Sequence, residues 1–261
     1  MTQLHYSNEN YSRYFPLKQK VYMINMSRER DTNQYDSISG IIAAYSGDVL
    51  DVQVQYSTGQ IIAADRVLNA TFKVITEAFG VGMQIVADLV KLPTDNLLRL
   101  RLSSILEVVK RCEMPRIDST IKVFLNREDS PLSTCKSKFL QIVEREKKGL
   151  PLNFQLQENS VNVSVSGFRL AAEPSDKSSP LAMCILDLED GQPPVCAIAE
   201  TAWHRRIGAN TFIGHRFITI LKSDQNRIGR YVSSLQRSMG IKVSAPKNNW
   251  FLLDRMTFDN G

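Results

Sequence analysis

Metal and redox chemistry have little to work with in this chain. Its four cysteines (Cys112, Cys135, Cys184, Cys196) form no Cys-x-x-Cys pair, and its three histidines (His5, His204, His215) are scattered. A zinc site gathers several such ligands at short spacings, so no metal is expected and the thiols read as reduced. No apolar run approaches the length that spans a bilayer, and Met1 to Asn8 is too polar for a signal-peptide core. The expectation is a cytoplasmic protein without membrane insertion. Also missing are a Gly-x-Ser-x-Gly elbow and a glycine-rich phosphate loop. Asp36, Asp48, Asp51 and Asp65 fall at turns or strand edges, where a solvated carboxylate is the ordinary state. No catalytic residue is assigned, and the chain is not expected to be an enzyme. A net charge of +5 slightly favours an anionic partner. It does not amount to the dense basic stripe of a protein that binds a nucleic-acid polymer.

What the chain does have is alternation. With 43% apolar and 23% charged residues it reads as a globular protein, and 261 residues leave room for two domains. Short β-type runs separated by turn signals fill the first hundred residues: Val21 to Met26, Ser39 to Tyr45, Val49 to Tyr56, Gln60 to Ala64, Ala70 to Ile75, Met83 to Leu89 and Leu97 to Leu102. Many short strands at regular spacing predict a small barrel or sandwich. The polar residues before Phe15 form either a loose arm or a docked one.

A junction follows, Glu107 to Arg116, irregular because Pro115 lacks an amide donor and restricts Met114. Lys110, Arg111 and Arg116 make it either a basic linker or an anion clamp, since guanidinium forks bind phosphate and guanine edges. Ile117 to Leu125 opens a second β-rich region. Ser130-Pro131 or Ser133 can cap a helix running to about Lys148, with Gly149 just past its end. Leu132, Phe139, Leu140 and Val143 give this helix an apolar stripe, and Lys136, Lys138, Arg145, Lys147 and Lys148 a solvated face.

In Ser160 to Leu170, Val161, Val163 and Val165 alternate with Asn162, Ser164 and Ser166, and Gly167 ends the pattern. One face carries short hydrogen-bonding groups beside bare backbone. It is either an ordinary solvated face or a surface for the polar edge of a flat ligand. Leu181 to Leu188, Val195 to Ala199, Glu200 to Arg206 and Phe212 to Ile220 continue the sheet. Trp203 reads as core, and His204 and His215 as structural or surface groups. Ser223 can cap a last helix through Ile228, Tyr231, Val232 and Leu235 to Gly240. The tail with Trp250 to Leu253 is apolar enough to dock.

Asn162-x-Ser164-x-x-Gly167 resembles the (Asp/Asn)-x-Ser-x-x-Gly signature of PilZ domains, small β-barrels that bind cyclic diguanylate (c-di-GMP). Ala202 to Arg206, Gly214 to Phe217 and the closing helix are similar to that family's second half. The junction Lys110 to Arg116 stands where the family carries Arg-x-x-x-Arg, but counting back from Arg116 lands on Cys112, and Arg111 is one residue early. The stretch from Arg116 to Asn162 is also longer than in the family, through the helix near 131–148. The resemblance covers residues 109 to 240, and the region before it looks like the N-terminal barrel of two-domain members that brake the flagellar motor.

The fold so implied is mainly β: two small antiparallel β-barrels in tandem, the second with an inserted helix and a C-terminal helix. Its parts are an N-terminal barrel (1–108), a PilZ-like domain (109–240) and a tail (241–261). The resemblance implies a c-di-GMP site of Arg111, Arg116, Asn162, Ser164 and Gly167, and no other cofactor. Ligand capture would reorder the arginine segment, reorient the domains and signal to a protein target of the flagellar or pilus machinery. The alternative is a PilZ fold that has lost its ligand, as Cys112 suggests, and serves as a protein-interaction adaptor.

Overall fold

In a computed structural model of the chain, the residues described are 11–26, 33–59, 70–78, 81–109, 115–127, 129–151, 154–172 and 179–241. The first seven strands are β1 (Lys20–Asn25), β2 (Gln34–Ser46), β3 (Val49–Val54), β4 (Thr71–Ala78), β5 (Val81–Thr94), β6 (Leu97–Leu102) and β7 (Glu107–Val109). Antiparallel pairing runs β1-β4-β5-β6-β3-β2 and returns to β1, so six of them close a barrel. Then come β8 (Ile117–Asn126), helix α1 (Leu132–Lys147), β9 (Gln157–Ser164), β10 (Gly167–Ala171), β11 (Leu181–Asp187), β12 (Val195–Ile207), β13 (Asn210–Leu221) and helix α2 (Lys222–Ser238). Here the circuit β8-β9-β10-β13-β12-β11 returns to β8. Closure leaves neither sheet with a long open edge. The expected architecture, two tandem barrels with an inserted and a C-terminal helix, is the one observed.

Several local expectations need correction. Glu107–Val109, read as part of an irregular junction, is a short strand on β5. Glu200 to Arg206 does continue the sheet, as a prolongation of β12 through register shifts beside Ile198 and Thr201. Neither helix uses the serine cap expected of it. The residue before α1 is Pro131, and the amides of Leu132 and Ser133 donate to the carbonyls of Ser57 and Thr58 in the first half. Leu221 precedes α2 without a side-chain cap. Tyr11 to Phe15 is docked, with Tyr11 and Phe15 buried. Gln60 to Ala64, Asp65, His5 and Trp250 to Leu253 lie outside the described residues.

The core explains the unbroken apolar text of β11. A strand buried on one face alternates, whereas one buried on both faces reads as a continuous run. Leu181, Met183 and Ile185 point out of the second barrel and belong to one continuous apolar cluster with Leu132, Cys135, Phe139 and Val143 of α1 and with first-barrel residues such as Val21 and Leu50. Cys184 and Leu186 point inward to Val161, Val163, Phe168 and Phe217. The inserted helix is therefore a wedge between the barrels. Leu140, placed on its stripe by sequence, is half exposed. Cys135, Cys184 and Cys196 are buried and take part in no disulfide.

Polar groups cross the same seam. Gln34 to Asp36 of β2 pair with Thr219 to Leu221 of β13. Lys136 Nζ lies 2.6 and 2.7 Å from the two carboxylate oxygens of Asp36, which also accept from Thr219 Oγ1 at 3.1 Å. Asp36 and Lys136 are both buried, contrary to the solvated carboxylate and solvated lysine read from sequence. Nearby, Ser39 Oγ donates to Glu200 Oε2 at 2.8 Å, and the Arg216 guanidinium stacks on the Tyr22 ring at 3.5 Å.

Removing one partner of a buried pair strands the other charge away from water. Lys136→Met is expected to cost about 3–5 kcal/mol in urea unfolding, and adding Asp36→Leu to recover most of it. Within the second barrel, burial and secondly the Arg127 charge lower the His215 pKa from 6.5 to about 3. The folded state then refuses a proton that the unfolded chain accepts, so this stabilisation is complete above pH 6.5 and is lost as pH falls towards 3. Between pH 7.5 and 4.5 the wild type should lose about 2–3 kcal/mol more than His215→Gln, measured by denaturant midpoints.

Candidate functional site

Residues far apart in sequence meet on the outer face of the second barrel. In β9, Val161 and Val163 point inward, so Asn162 and Ser164 point out, as the alternation requires. The polar face is not simply solvated, because Ser164 is fully buried. The strand pairing sets Asp118 of β8 beside Asn162, and Asn162 beside Arg169 of β10. Arg116, exposed just before β8, reaches back over this row. Its Nη2 donates to Ser164 Oγ at 3.1 Å and its Nη1 to Asn162 Oδ1 at 3.4 Å.

Ser160 to Leu170 is a hairpin, not a single strand that stops at a glycine. Val165 and Ser166 form the turn, and Gly167 opens β10 opposite Ser164. Ser164 Oγ donates to the Gly167 carbonyl at 3.1 Å and contacts Ser166 Oγ at the same distance. Gly167 has φ +151°, and a Cβ there would run into the carbonyl of His215 on β13. The glycine is thus required by its neighbour strand.

The charges are arranged for an anion. Although Arg116 is exposed as a residue, partial desolvation of the guanidinium seated on Ser164, and after it the like charge of Arg169, lowers its pKa. Arg169 is held off by Asp118, whose Oδ1 accepts from Arg169 Nη2 at 3.1 Å and from Asn162 Nδ2 at 3.0 Å. The Arg169 guanidinium also lies 5.2 Å from the centre of the Phe212 ring. Two guanidinium groups beside amide and hydroxyl groups fit phosphate oxygens and the acceptor edge of a purine.

Of the five residues implied by the resemblance, Arg116, Asn162, Ser164 and Gly167 share this face, while Arg111, with Cys112, lies outside the described residues. Asp118, Arg169 and Gln236 were not picked out from sequence. The β8/β9/β10 register would have found the first two; Gln236, which donates to the Arg116 carbonyl at 3.4 Å from α2, has no sequence signal. Trp203, read as core, is 39% exposed, because the indole lies over Gly214 where any Cβ would collide with it. His215 is structural: Arg127 can only donate, so His215 Nε2 accepts, at 3.3 Å. A separate cavity of about 110 Å³, lined by Phe124, Cys135, Phe154 and Met183 among others, is too small for a nucleotide. Among the described residues, no helix is long and apolar enough to cross a membrane and no cluster of His, Cys, Asp or Glu could hold a metal ion.

No protein-family model and no curated protein matches the chain. Solved structures do. The Bacillus subtilis inhibitor of motility (MotI/DgrA) is similar over 87% of this chain and 99% of its own, at 12% identity and a TM-score of 0.36. YcgR from Escherichia coli, in complex with c-di-GMP, is similar over 86% and 87%, at 11% and 0.33. A tetrameric PilZ domain from Xanthomonas campestris covers 49% of this chain and 92% of its own, at 16% and 0.34. At such identities and scores, what this chain binds is decided by its own side chains.

Gly167→Ala should lose about 1–3 kcal/mol of stability from its backbone conformation alone, with more from the contact on His215, seen as a lowered thermal midpoint.

Proposed function

We propose that this chain is a c-di-GMP effector whose site is the face built by Arg116, Asn162, Ser164 and Gly167. The observation that carries the reading is the seating of the Arg116 guanidinium on Asn162 and Ser164, which joins the two halves of the PilZ-like signature. The ligand offers two phosphate charges and two guanines with acceptors at N7 and O6. Arg116 would turn its fork to those acceptors or to a phosphate. Asn162 and Ser164 would hydrogen-bond a guanine edge, and Gly167 would admit the ligand against the backbone. Arg111 would add a second guanidinium from the junction.

The chain would divide as 1–108 and 109–240, and Arg116 stands at the end of the covalent bridge from β7 to β8. Ligand capture would reorder that bridge and change how the two barrels face each other, and a protein target, of the motility machinery in this reading, would sense the change. The buried seam opposes separation of the barrels. A ligand shifts such an equilibrium only by its difference in affinity for the two states. No chemistry on the ligand is needed. The second reading, a ligand-free adaptor, draws on Cys112 standing where the spacing asks for arginine.

Isothermal titration separates the two. Binding of c-di-GMP at micromolar protein is expected, with Arg116→Ala weaker by about 30-fold or more and Asn162→Ala by about 5-fold or more. No heat with excess dinucleotide, where a control protein binds, would leave the adaptor. Binding that neither substitution weakens would move the site elsewhere.

A further inference from the structure

Asp118 sits in the middle of the site with the wrong charge for it. Its side chain is 73% exposed, yet Oδ1 takes two hydrogen bonds, from Asn162 Nδ2 at 3.0 Å and Arg169 Nη2 at 3.1 Å. A carboxylate only accepts and a guanidinium only donates. Between Asp118 and Arg116, the Asn162 amide therefore has one orientation that satisfies both neighbours: nitrogen towards Asp118, oxygen towards Arg116. Without Asp118 the amide is free to turn and set its NH2 group against the Arg116 guanidinium. Arg169 would also lose the anchor that keeps it beside Asn162. An aspartate at 162 would meet Asp118 carboxylate to carboxylate, and such a pair cannot readily ionise together.

Resting on the c-di-GMP reading of this face, we propose that Asp118 is the positioning residue of the site. It fixes the Asn162 amide so that its oxygen faces Arg116, holds Arg169 beside it as a second guanidinium for a ligand phosphate, and makes asparagine rather than aspartate the working residue at 162. The role is positional, since Asp118 itself repels the ligand.

That conflict of signs gives the test, by titration of c-di-GMP into the full chain and its variants. A bystander carboxylate beside a dianion weakens binding, so its removal would tighten it. The positioning role predicts the reverse, with Asp118→Ala binding about 5-fold more weakly. Asn162→Asp is expected to lose about 10-fold or more. The exchange Asp118→Asn with Asn162→Asp restores a donor opposite an acceptor, and should return to within about 3-fold of wild type. Unchanged circular dichroism and thermal midpoints would show that the variants fold. Asp118→Ala binding as tightly as wild type or tighter, or an exchange variant no better than Asn162→Asp, would overturn the proposal. A wild-type chain that does not bind at all would overturn the ligand reading beneath it.

Discussion

The buried ion pair between Lys136 and Asp36 is the constraint on which the arrangement of this molecule depends. Two charges with side chains 6% and 2% exposed are costly to desolvate. They persist here because the geometry is close and Thr219 supplies a further donor. The pair draws a helix inserted in the second barrel onto a strand of the first, at the point where β2 also pairs with β13. Backbone carbonyls of Ser57 and Thr58 then take up the amides that start the helix. Leu132, Cys135, Phe139 and Val143 fill the space left between the barrels. The apolar contacts supply most of the driving force, and the polar contacts fix which arrangement of two apolar surfaces is adopted.

With the barrels joined in this way, the second leaves one face to the candidate site. Its interior valines force Asn162 and Ser164 outward, its register aligns Asp118, Asn162 and Arg169, and the closeness of β13 demands a glycine at 167. Each position is set by the sheet rather than by a loop, which favours a preorganised surface. The remaining cost is electrostatic. Arg116 and Arg169 repel each other, and one exposed carboxylate only partly offsets this, so the face keeps an excess of positive charge that the proposed anionic ligand would offset.

Much of this was legible in the chain. Alternating text over Val49 to Val54 and Ser160 to Ser164 marked strands by their period of two, and the many short strands at regular spacing in the first hundred residues pointed to a small barrel or sandwich. The signature around Asn162 marked one wall of the candidate site. What stayed hidden depends on contacts distant in sequence. Nothing near Asp36 or Lys136 shows that they meet across 100 residues, and charged residues at a strand edge and on a helix ordinarily face water. Trp203 misled for a related reason: an indole usually signals core, but here Gly214 on the next strand provides a shelf on the outside. Asp118 carries no local signature at all, because its role exists only through the register of β8 against β9.

On the function proposed above, the face of Arg116, Asn162, Ser164 and Gly167 receives c-di-GMP. A crystal structure of the chain grown with the dinucleotide tests it most directly. The expected result is a guanine edge or phosphate within hydrogen-bond distance of Arg116, Asn162 and Ser164, with ligand atoms packed on the Gly167 backbone. Well-ordered ligand at another surface, with Arg116 still seated on Ser164, would contradict it.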